Sequence, residues 1–285
     1  MKIIKQVLSL LLFSSVLLLS SCGIPLNRDE ETELHIYAKT VAADDVHSLL
    51  VLGDSIAAHY GVSEEESYEA KLTSKLSESG ETWVSTNWGV SGYTTGDLVT
   101  LLRQKRENAS ARKILSEADL ICISIGGNNI LEFVRRAGYE GFPTATVANI
   151  RKLLKAFEDE AEPMKVEFLA DLEIIMKEIK TLSPHATILI QNIHNVARDV
   201  EGNFPLFGET ATAAGLLEPV FAPLLKLLDE NAERLGYTVA DTYSAFRDCP
   251  EKRLLRREML HPNPEGHTLI AEVLYDTYLK TQNRA

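Results

Sequence analysis

Four short stretches of this sequence carry residue types that acyl transfer requires. They are Ser55 in "GDSI", Gly92 in "SGYT", Asn128 in "GGNN" and His261 in "EMLHPN". A serine hydroxyl becomes a useful nucleophile when an imidazole accepts its proton. Glycine N–H groups and a carboxamide NH₂ can stabilise the oxyanion of a tetrahedral intermediate. The combination points to nucleophilic attack by the serine on an acyl group.

The segments around these residues alternate between strand and helix patterns. Short apolar runs predict strands at 49–52, 83–87, 120–125, 186–191 and 238–241. Helical patterns follow them, at 66–78, 95–107, 166–182, 218–235 and 263–280. Such alternation is typical of an α/β fold with a mainly parallel sheet covered by helices on both faces. Ligands of these sheets bind at the carboxyl ends of the strands, which is where the first three stretches lie.

Two segments, 131–163 and 195–215, are longer than an ordinary connection. Long insertions near strand ends often form lids or substrate walls. If Leu131, Phe133 and Phe207 wall an apolar groove, a lipid substrate is favoured. A small closed pocket would favour acetyl groups.

Taken in order, the four stretches resemble the sequence blocks of the GDSL or SGNH hydrolase family, and the resemblance spans residues 48–281. It implies a flavodoxin-like three-layer α/β/α sandwich, serine hydrolase activity on esters or thioesters, and no metal or organic cofactor. It also implies Ser55 as nucleophile and, through its own N–H, as an oxyanion donor. Gly92 and Asn128 would be the other donors, and His261 the general base.

One position departs from the family pattern. The family usually has an aspartate three residues before the histidine, whereas this chain has Glu258. The extra methylene adds about 1.5 Å of reach, which is large on the scale of catalytic geometry. We predict a Ser55, His261 and Glu258 triad, with the alternative that a backbone carbonyl orients the histidine instead.

Simpler structural roles compete with these assignments. Ser55 could be only the N-cap of a helix, because its hydroxyl can accept a hydrogen bond from a backbone N–H. Asn129 is the less favoured oxyanion donor, and His267 the less favoured base. Pro262 stiffens the loop next to His261, which favours His261 over His267.

One residue spacing and two further residues near the predicted site also need an assignment. The Glu258-x-x-His261 spacing invites a metal site, but no second pair stands in a comparable setting, so we predict no metal. The resemblance implies that Asp54 supports the turn before the nucleophile. His194 follows the fourth predicted strand and is expected to be a hydrogen-bonded loop histidine, although it could line the pocket.

The N-terminus predicts where the protein is located. Lys2 and Lys5 precede an apolar run at 7–19 that suits the core of a secretory signal. The run ends in "LSSC", which resembles the lipobox of bacterial lipoproteins and implies lipidation of Cys22. We therefore predict a signal peptide at 1–21, a lipid anchor and tether at 22–47, and a hydrolase domain at 48–285. The protein would be extracytoplasmic and anchored to the membrane through Cys22.

Composition limits the partners. The chain has 29 basic and 41 acidic residues, a net charge of −12, which argues against nucleic acid. Cys122 and Cys249 do not form a disulfide scaffold, and no feature indicates an oligomeric state.

The resemblance implies a membrane-tethered serine esterase or lipase whose substrate is a lipid or an acylated glycan. The alternatives are a carbohydrate O-deacetylase and a non-catalytic surface lipoprotein that binds a glycan or a partner.

Overall fold

The structure, a computed structural model, describes residues 46–136, 147–199, 203–206, 209–251, 253–257 and 260–283. The predicted signal peptide, Cys22 and most of the tether lie outside the described residues, as do Phe207 and Glu258. The predicted division of the chain at residues 21 and 47 therefore stays a prediction. Within the described part of the chain, no helix combines the length and apolar character that a membrane span needs.

Five of the seven described strands make up the central sheet. The described strands are β1 (Val46–Gly53), β2 (Thr82–Gly89), β3 (Leu120–Ser124), β4 (Thr187–Gln191), β5 (Asn203–Leu206), β6 (Glu209–Thr212) and β7 (Thr238–Ala240). The main sheet has the order β2-β1-β3-β4-β7, while β5 and β6 form a separate antiparallel hairpin. The pairs β1/β3, β3/β4 and β4/β7 are parallel. This is the flavodoxin-like order, in which the chain reverses direction across the sheet between β1 and β3.

Helices cover both faces of this sheet. They are α1 (Tyr68–Ser77), α2 (Thr95–Glu107), α3 (Ala109–Ser116), α4 (Gly127–Arg136), α5 (Val147–Leu182), α6 (Ala213–Leu235), α7 (Thr242–Asp248) and α8 (Pro264–Gln282). Side chains of β1 alternate between the two faces, as strand geometry requires. Leu50 and Leu52 pack with residues of α2, α5 and α6 in one core, while Leu49 and Val51 pack with residues of α1 and α8 in the other. The predicted three-layer α/β/α sandwich is confirmed.

The segment 131–163, expected to be a long connection, is largely helical. The helix α4 continues to Arg136, and α5 begins at Val147 and carries Pro163 inside it. A proline removes one helical N–H but does not have to end a long helix, so it is a poor boundary signal. Phe133 is fully buried in the core and does not wall a substrate groove, so it is not one of the side chains that would favour a lipid substrate. The short helices α3 and α7 were not predicted.

Candidate active site

Ser55 and His261 lie within hydrogen-bonding distance at the carboxyl end of the sheet. The Ser55 Oγ is 2.9 Å from the His261 Nε2. Residues 54–62, which follow β1, form turns, and α1 begins only at Tyr68 with Ser67 as its N-cap. Ser55 therefore does not cap a helix, and its side chain faces the imidazole.

Close packing of β1 against β3 fixes the turn that presents Ser55. Gly53 has a φ of +137°, and a Cβ there would collide with the carbonyl oxygen of Ser124 at the end of β3. The buried Asp54 accepts hydrogen bonds from the Ile56 N–H (3.0 Å) and the Ser124 hydroxyl (3.4 Å) through Oδ1. Asp54 thus supports the turn, as expected from the sequence.

A half-buried amide holds the same turn from the side of β2. Asn87 donates from Nδ2 to the Ala57 carbonyl (2.8 Å) and to the Glu69 carboxylate, and its Oδ1 accepts from the Gly89 N–H (2.7 Å). One side chain therefore connects β2, α1 and the turn that presents Ser55. Sequence reasoning missed this role, although Asn87 opens the stretch "NWGVSGYTT".

The loop that carries His261 is fixed by backbone hydrogen bonds. The Arg256 N–H donates to the His261 carbonyl (2.9 Å), and the Asn263 N–H donates to the Leu254 carbonyl (2.9 Å). The Asn263 side chain also caps α8. These contacts hold the histidine directly before a helix start, which limits its freedom to move away from Ser55.

Gly92 and Asn128 line the same cavity as Ser55. Gly92 has a φ of +89°, a conformation that favours glycine. The Asn128 Nδ2 donates to the Tyr93 carbonyl at 2.9 Å, which fixes the orientation of the carboxamide. Because an amide NH₂ has two N–H donors, one is left for another acceptor.

The cavity over Ser55 has a volume of about 270 Å³. Ser55, Gly92, Asn128 and His261 form its polar end. Apolar side chains form much of the remaining wall, namely Ile130, Leu131, Ile193, Val196 and Phe221. A mostly apolar cavity with a few converging polar groups is typical of a small-molecule site.

The sequence profile of the GDSL-like lipase/acylhydrolase family matches residues 51–269, a range that includes all four of these polar residues. The chain belongs to this family. As a GDSL-like hydrolase it is an ester-hydrolysing enzyme.

Known proteins resemble this GDSL-like hydrolase over most of its length. The uncharacterised protein YpmR of Bacillus subtilis is 23% identical over 270 residues, which cover 94% of each chain. Among solved structures, the lipase Lip_vut3 from a goat rumen metagenome has a TM-score of 0.60 at 18% identity, covering 81% of this chain and 97% of that one. The acetyl-xylooligosaccharide esterase Axe2 from Geobacillus has a TM-score of 0.53 at 19% identity, with 81% and 93% covered. At these identities, the solved structures show a shared fold.

Asn129 and His267, the less favoured oxyanion donor and base, make contacts elsewhere in this GDSL-like hydrolase. Asn129 is buried, and its carboxamide bonds to Thr95 at the start of α2, accepting from the N–H (3.2 Å) and donating to the hydroxyl (2.9 Å). His267 is fully buried and accepts a hydrogen bond from the Tyr68 N–H through Nδ1 (3.2 Å). Neither residue lines the cavity.

Two aromatic rings flank the His261 loop. His194 lines the cavity, is buried against Phe246 and donates from Nε2 to the Leu260 carbonyl (3.1 Å). Tyr60 is 51% exposed, and its ring centroid lies 4.6 Å from that of His261. Sequence reasoning anticipated the hydrogen bond of His194 but missed Tyr60, whose only signal was its position five residues after Ser55.

Burial changes the acid–base properties of two residues that line the cavity. Burial raises the pKa of the Asp54 carboxyl to about 7, against the opposing effect of its hydrogen bonds from Ile56 and Ser124. Burial lowers the pKa of the His194 imidazole to about 4, although its bond to the Leu260 carbonyl acts in the other direction. At neutral pH His194 is therefore uncharged and can keep a proton on Nε2.

Proposed function

We propose that this enzyme hydrolyses carboxylic esters through an acyl-enzyme formed on Ser55, at the outer face of a cell membrane to which Cys22 anchors it. The observation that carries the catalytic part is the 2.9 Å separation between the Ser55 Oγ and the His261 Nε2, at the polar end of a largely apolar cavity. The anchoring part rests on the sequence around Cys22.

In the first half of the reaction, the His261 Nε2 accepts the Ser55 hydroxyl proton while Oγ attacks the ester carbonyl carbon. The carbonyl oxygen becomes an oxyanion, and the N–H groups of Ser55 and Gly92 and the second amide N–H of Asn128 donate to it. The imidazolium then gives its proton to the leaving alcohol oxygen. The carbon–oxygen bond breaks and leaves an acyl group on Oγ.

Water completes the reaction by the same route. The His261 Nε2 accepts a proton from water, and the hydroxide attacks the acyl carbonyl carbon. The second tetrahedral oxyanion uses the same three donors. When it collapses, Oγ leaves with the proton from the imidazolium, and the carboxylic acid is released.

For Nε2 to accept that proton, the neutral imidazole must carry its hydrogen on Nδ1. We assign Glu258 as the acceptor of that hydrogen, in the place where the family usually has aspartate. Glu258→Ala should then lower kcat strongly, and Glu258→Asp should restore part of it. If Glu258→Ala keeps nearly full activity while His261→Ala loses it, a backbone carbonyl orients the imidazole.

The cavity favours an acyl group larger than acetyl. Its volume of about 270 Å³ is close to the lower end of the range typical of ligand pockets, about 300–1,000 Å³. Ile130, Leu131 and Phe221 offer apolar contacts to an acyl chain. We therefore infer a lipid-like ester as the preferred substrate.

One observation favours a second candidate, a carbohydrate O-deacetylase. The exposed Tyr60 ring beside His261 could support a sugar ring as the leaving alcohol. The fold is shared with an acetyl-xylooligosaccharide esterase. In this reading the apolar wall would be occupied only in part.

A series of p-nitrophenyl esters from acetyl to long acyl, with Ser55→Ala as control, tests the proposal. We expect hydrolysis that vanishes in the variant, with the highest kcat/KM for an acyl chain longer than acetyl. A maximum at acetyl would support the deacetylase. Equal background rates for both proteins would overturn the catalytic proposal and favour a binding protein.

A further inference from the structure

The α4 helix carries a cation into the cavity. Asn128, Leu131 and Arg135 all line the cavity, and their spacing of three and four residues places them on one face of the helix. Seven residues at 1.5 Å rise separate Asn128 from Arg135 by roughly 10 Å along the axis. One helix face thus leads from the polar end of the cavity, past an apolar side chain, to a guanidinium.

Among the described residues that line the cavity, Arg135 is the only one whose side chain is always charged at neutral pH. It is exposed, and no described carboxylate lies within 4.0 Å of it in an ion pair. Asp54, the acid among the described residues that line the cavity, lies beside Ser55 and accepts hydrogen bonds from Ile56 and Ser124. Within the described part of the chain, Arg135 therefore has no ion-pair partner there.

An arginine in this setting is suited to bind an anion. The guanidinium presents a planar set of N–H donors that matches a carboxylate or a phosphate. The whole chain has a net charge of −12, so its overall electrostatic field would repel an anionic substrate. A local cation at the cavity would be needed to accept one.

We propose that Arg135 binds an anionic group of the ester substrate, roughly 10 Å from the oxyanion donors. This inference rests on the proposed ester hydrolysis and adds a substrate class, an amphiphilic ester with one negative charge. The charge can belong to the acyl part, as a terminal carboxylate, or to the alcohol part, as a phosphodiester. Both are recognised by the same N–H donors.

The test compares anionic and neutral esters that are otherwise alike, using the full-length chain in neutral detergent. The acyl arm pairs mono-p-nitrophenyl esters of adipate, suberate and sebacate with p-nitrophenyl hexanoate, octanoate and decanoate. The alcohol arm pairs lysophosphatidylglycerol with the monoacylglycerol of the same acyl chain. The readout is the ratio of kcat/KM for the anionic ester to that for its neutral partner.

Arg135→Gln is the test variant and Arg136→Gln its matched control. Arg136 is the next residue of α4, is exposed and does not line the cavity, so both variants remove one charge from the same helix end. We expect the ratio to fall about tenfold in Arg135→Gln in one of the two arms and to stay unchanged in Arg136→Gln. Added salt should reduce the difference in this ratio between the wild type and Arg135→Gln, because screening weakens the attraction to the exposed guanidinium while its effect on the net negative charge is nearly the same in both proteins.

The arm in which the ratio falls identifies the part of the substrate that bears the charge. Equal ratios for the two variants in both arms, with neutral esters still hydrolysed in a Ser55-dependent way, would overturn this inference alone. If no ester in either arm is hydrolysed in a Ser55-dependent way, the proposed function fails together with it.

Discussion

The Nε2 of His194 lies 3.1 Å from the carbonyl oxygen of Leu260, the residue directly before His261. His194 follows β4, so this hydrogen bond connects the edge of the sheet to the loop that carries His261, the base that we propose. The bond requires a proton on Nε2, and burial favours the neutral ring that can supply it without a charge. The hydrogen bond that holds His194 in place and the protonation state of its imidazole ring are therefore linked.

Replacing His194 with glutamine keeps a side-chain N–H but removes the titrating ring. The folded pKa of about 4 lies below the unfolded value, so the wild type loses stability as the pH falls from about 6.5 to 4. That loss amounts to as much as about 3 kcal/mol for this group. We expect the difference in free energy of unfolding between wild type and His194→Gln to shrink between pH 7 and pH 4.5 in urea titrations. A difference that is independent of pH would contradict the assignment.

Asp54 should show the opposite sign. Its folded pKa of about 7 lies above the unfolded value of 3.8, so the wild type loses stability as the pH rises between these values. Asp54→Asn keeps an oxygen acceptor and cannot ionise. It should be more stable than the wild type at pH 8, by up to about 4 kcal/mol, and no more stable near pH 4.

Urea unfolding at the two pH values checks this expectation. Asp276→Asn is a suitable control, because Asp276 is an exposed carboxyl on α8. If Asp54→Asn and Asp276→Asn respond alike to pH, burial does not perturb Asp54 in the manner described.

Adjacent asparagines allow a direct test of the oxyanion site. Asn128→Ala should lower kcat by about 10² to 10³ with little change in KM, because an oxyanion donor acts mainly in the transition state. Asn129→Ala should instead cost about 1–3 kcal/mol of stability, since it leaves Thr95 without its partner. Steady-state kinetics and thermal unfolding of both variants separate the two roles. Equal kcat values for the two variants would rule out Asn128 as the donor.

The sequence was most informative where periodicity and motif coincide. The continuous apolar run at 49–52 and the other short apolar runs predicted the sheet, because a strand that is buried on both faces has apolar side chains at every position. The position of Ser55 after β1 followed from the same pattern. The extent of α5 did not: the helical pattern at 166–182 predicted only the second half of this helix, which begins at Val147 in the segment expected to be a connection.

Contacts between distant residues could not be predicted from local patterns. Tyr60 lies beside His261, and Arg135 lines the cavity, because of how the turn after β1 and α4 are oriented in the fold. Neither residue belongs to a recognisable motif. The burial of Phe133 depends on which side of α4 faces the core, and the sequence left that open.

The proposed membrane anchor at Cys22 has its own test. In a bacterial host, the wild type should incorporate labelled palmitate and fractionate with membranes. Cys22→Ser should lose the label and appear in the soluble extracytoplasmic fraction, while Cys249→Ser should behave like the wild type. A Cys22→Ser protein that still carries the label would contradict lipidation at this residue.

Covalent labelling of Ser55 by a p-nitrophenyl alkylphosphonate tests the central claim most directly. The Oγ should displace p-nitrophenolate from phosphorus, releasing one equivalent per chain and leaving a phosphonylated serine that peptide mass spectrometry locates. We expect the adduct on Ser55, none in Ser55→Ala, and labelling slowed by at least ~10² in His261→Ala. An adduct on another residue, or ester hydrolysis that persists in Ser55→Ala, would contradict the account.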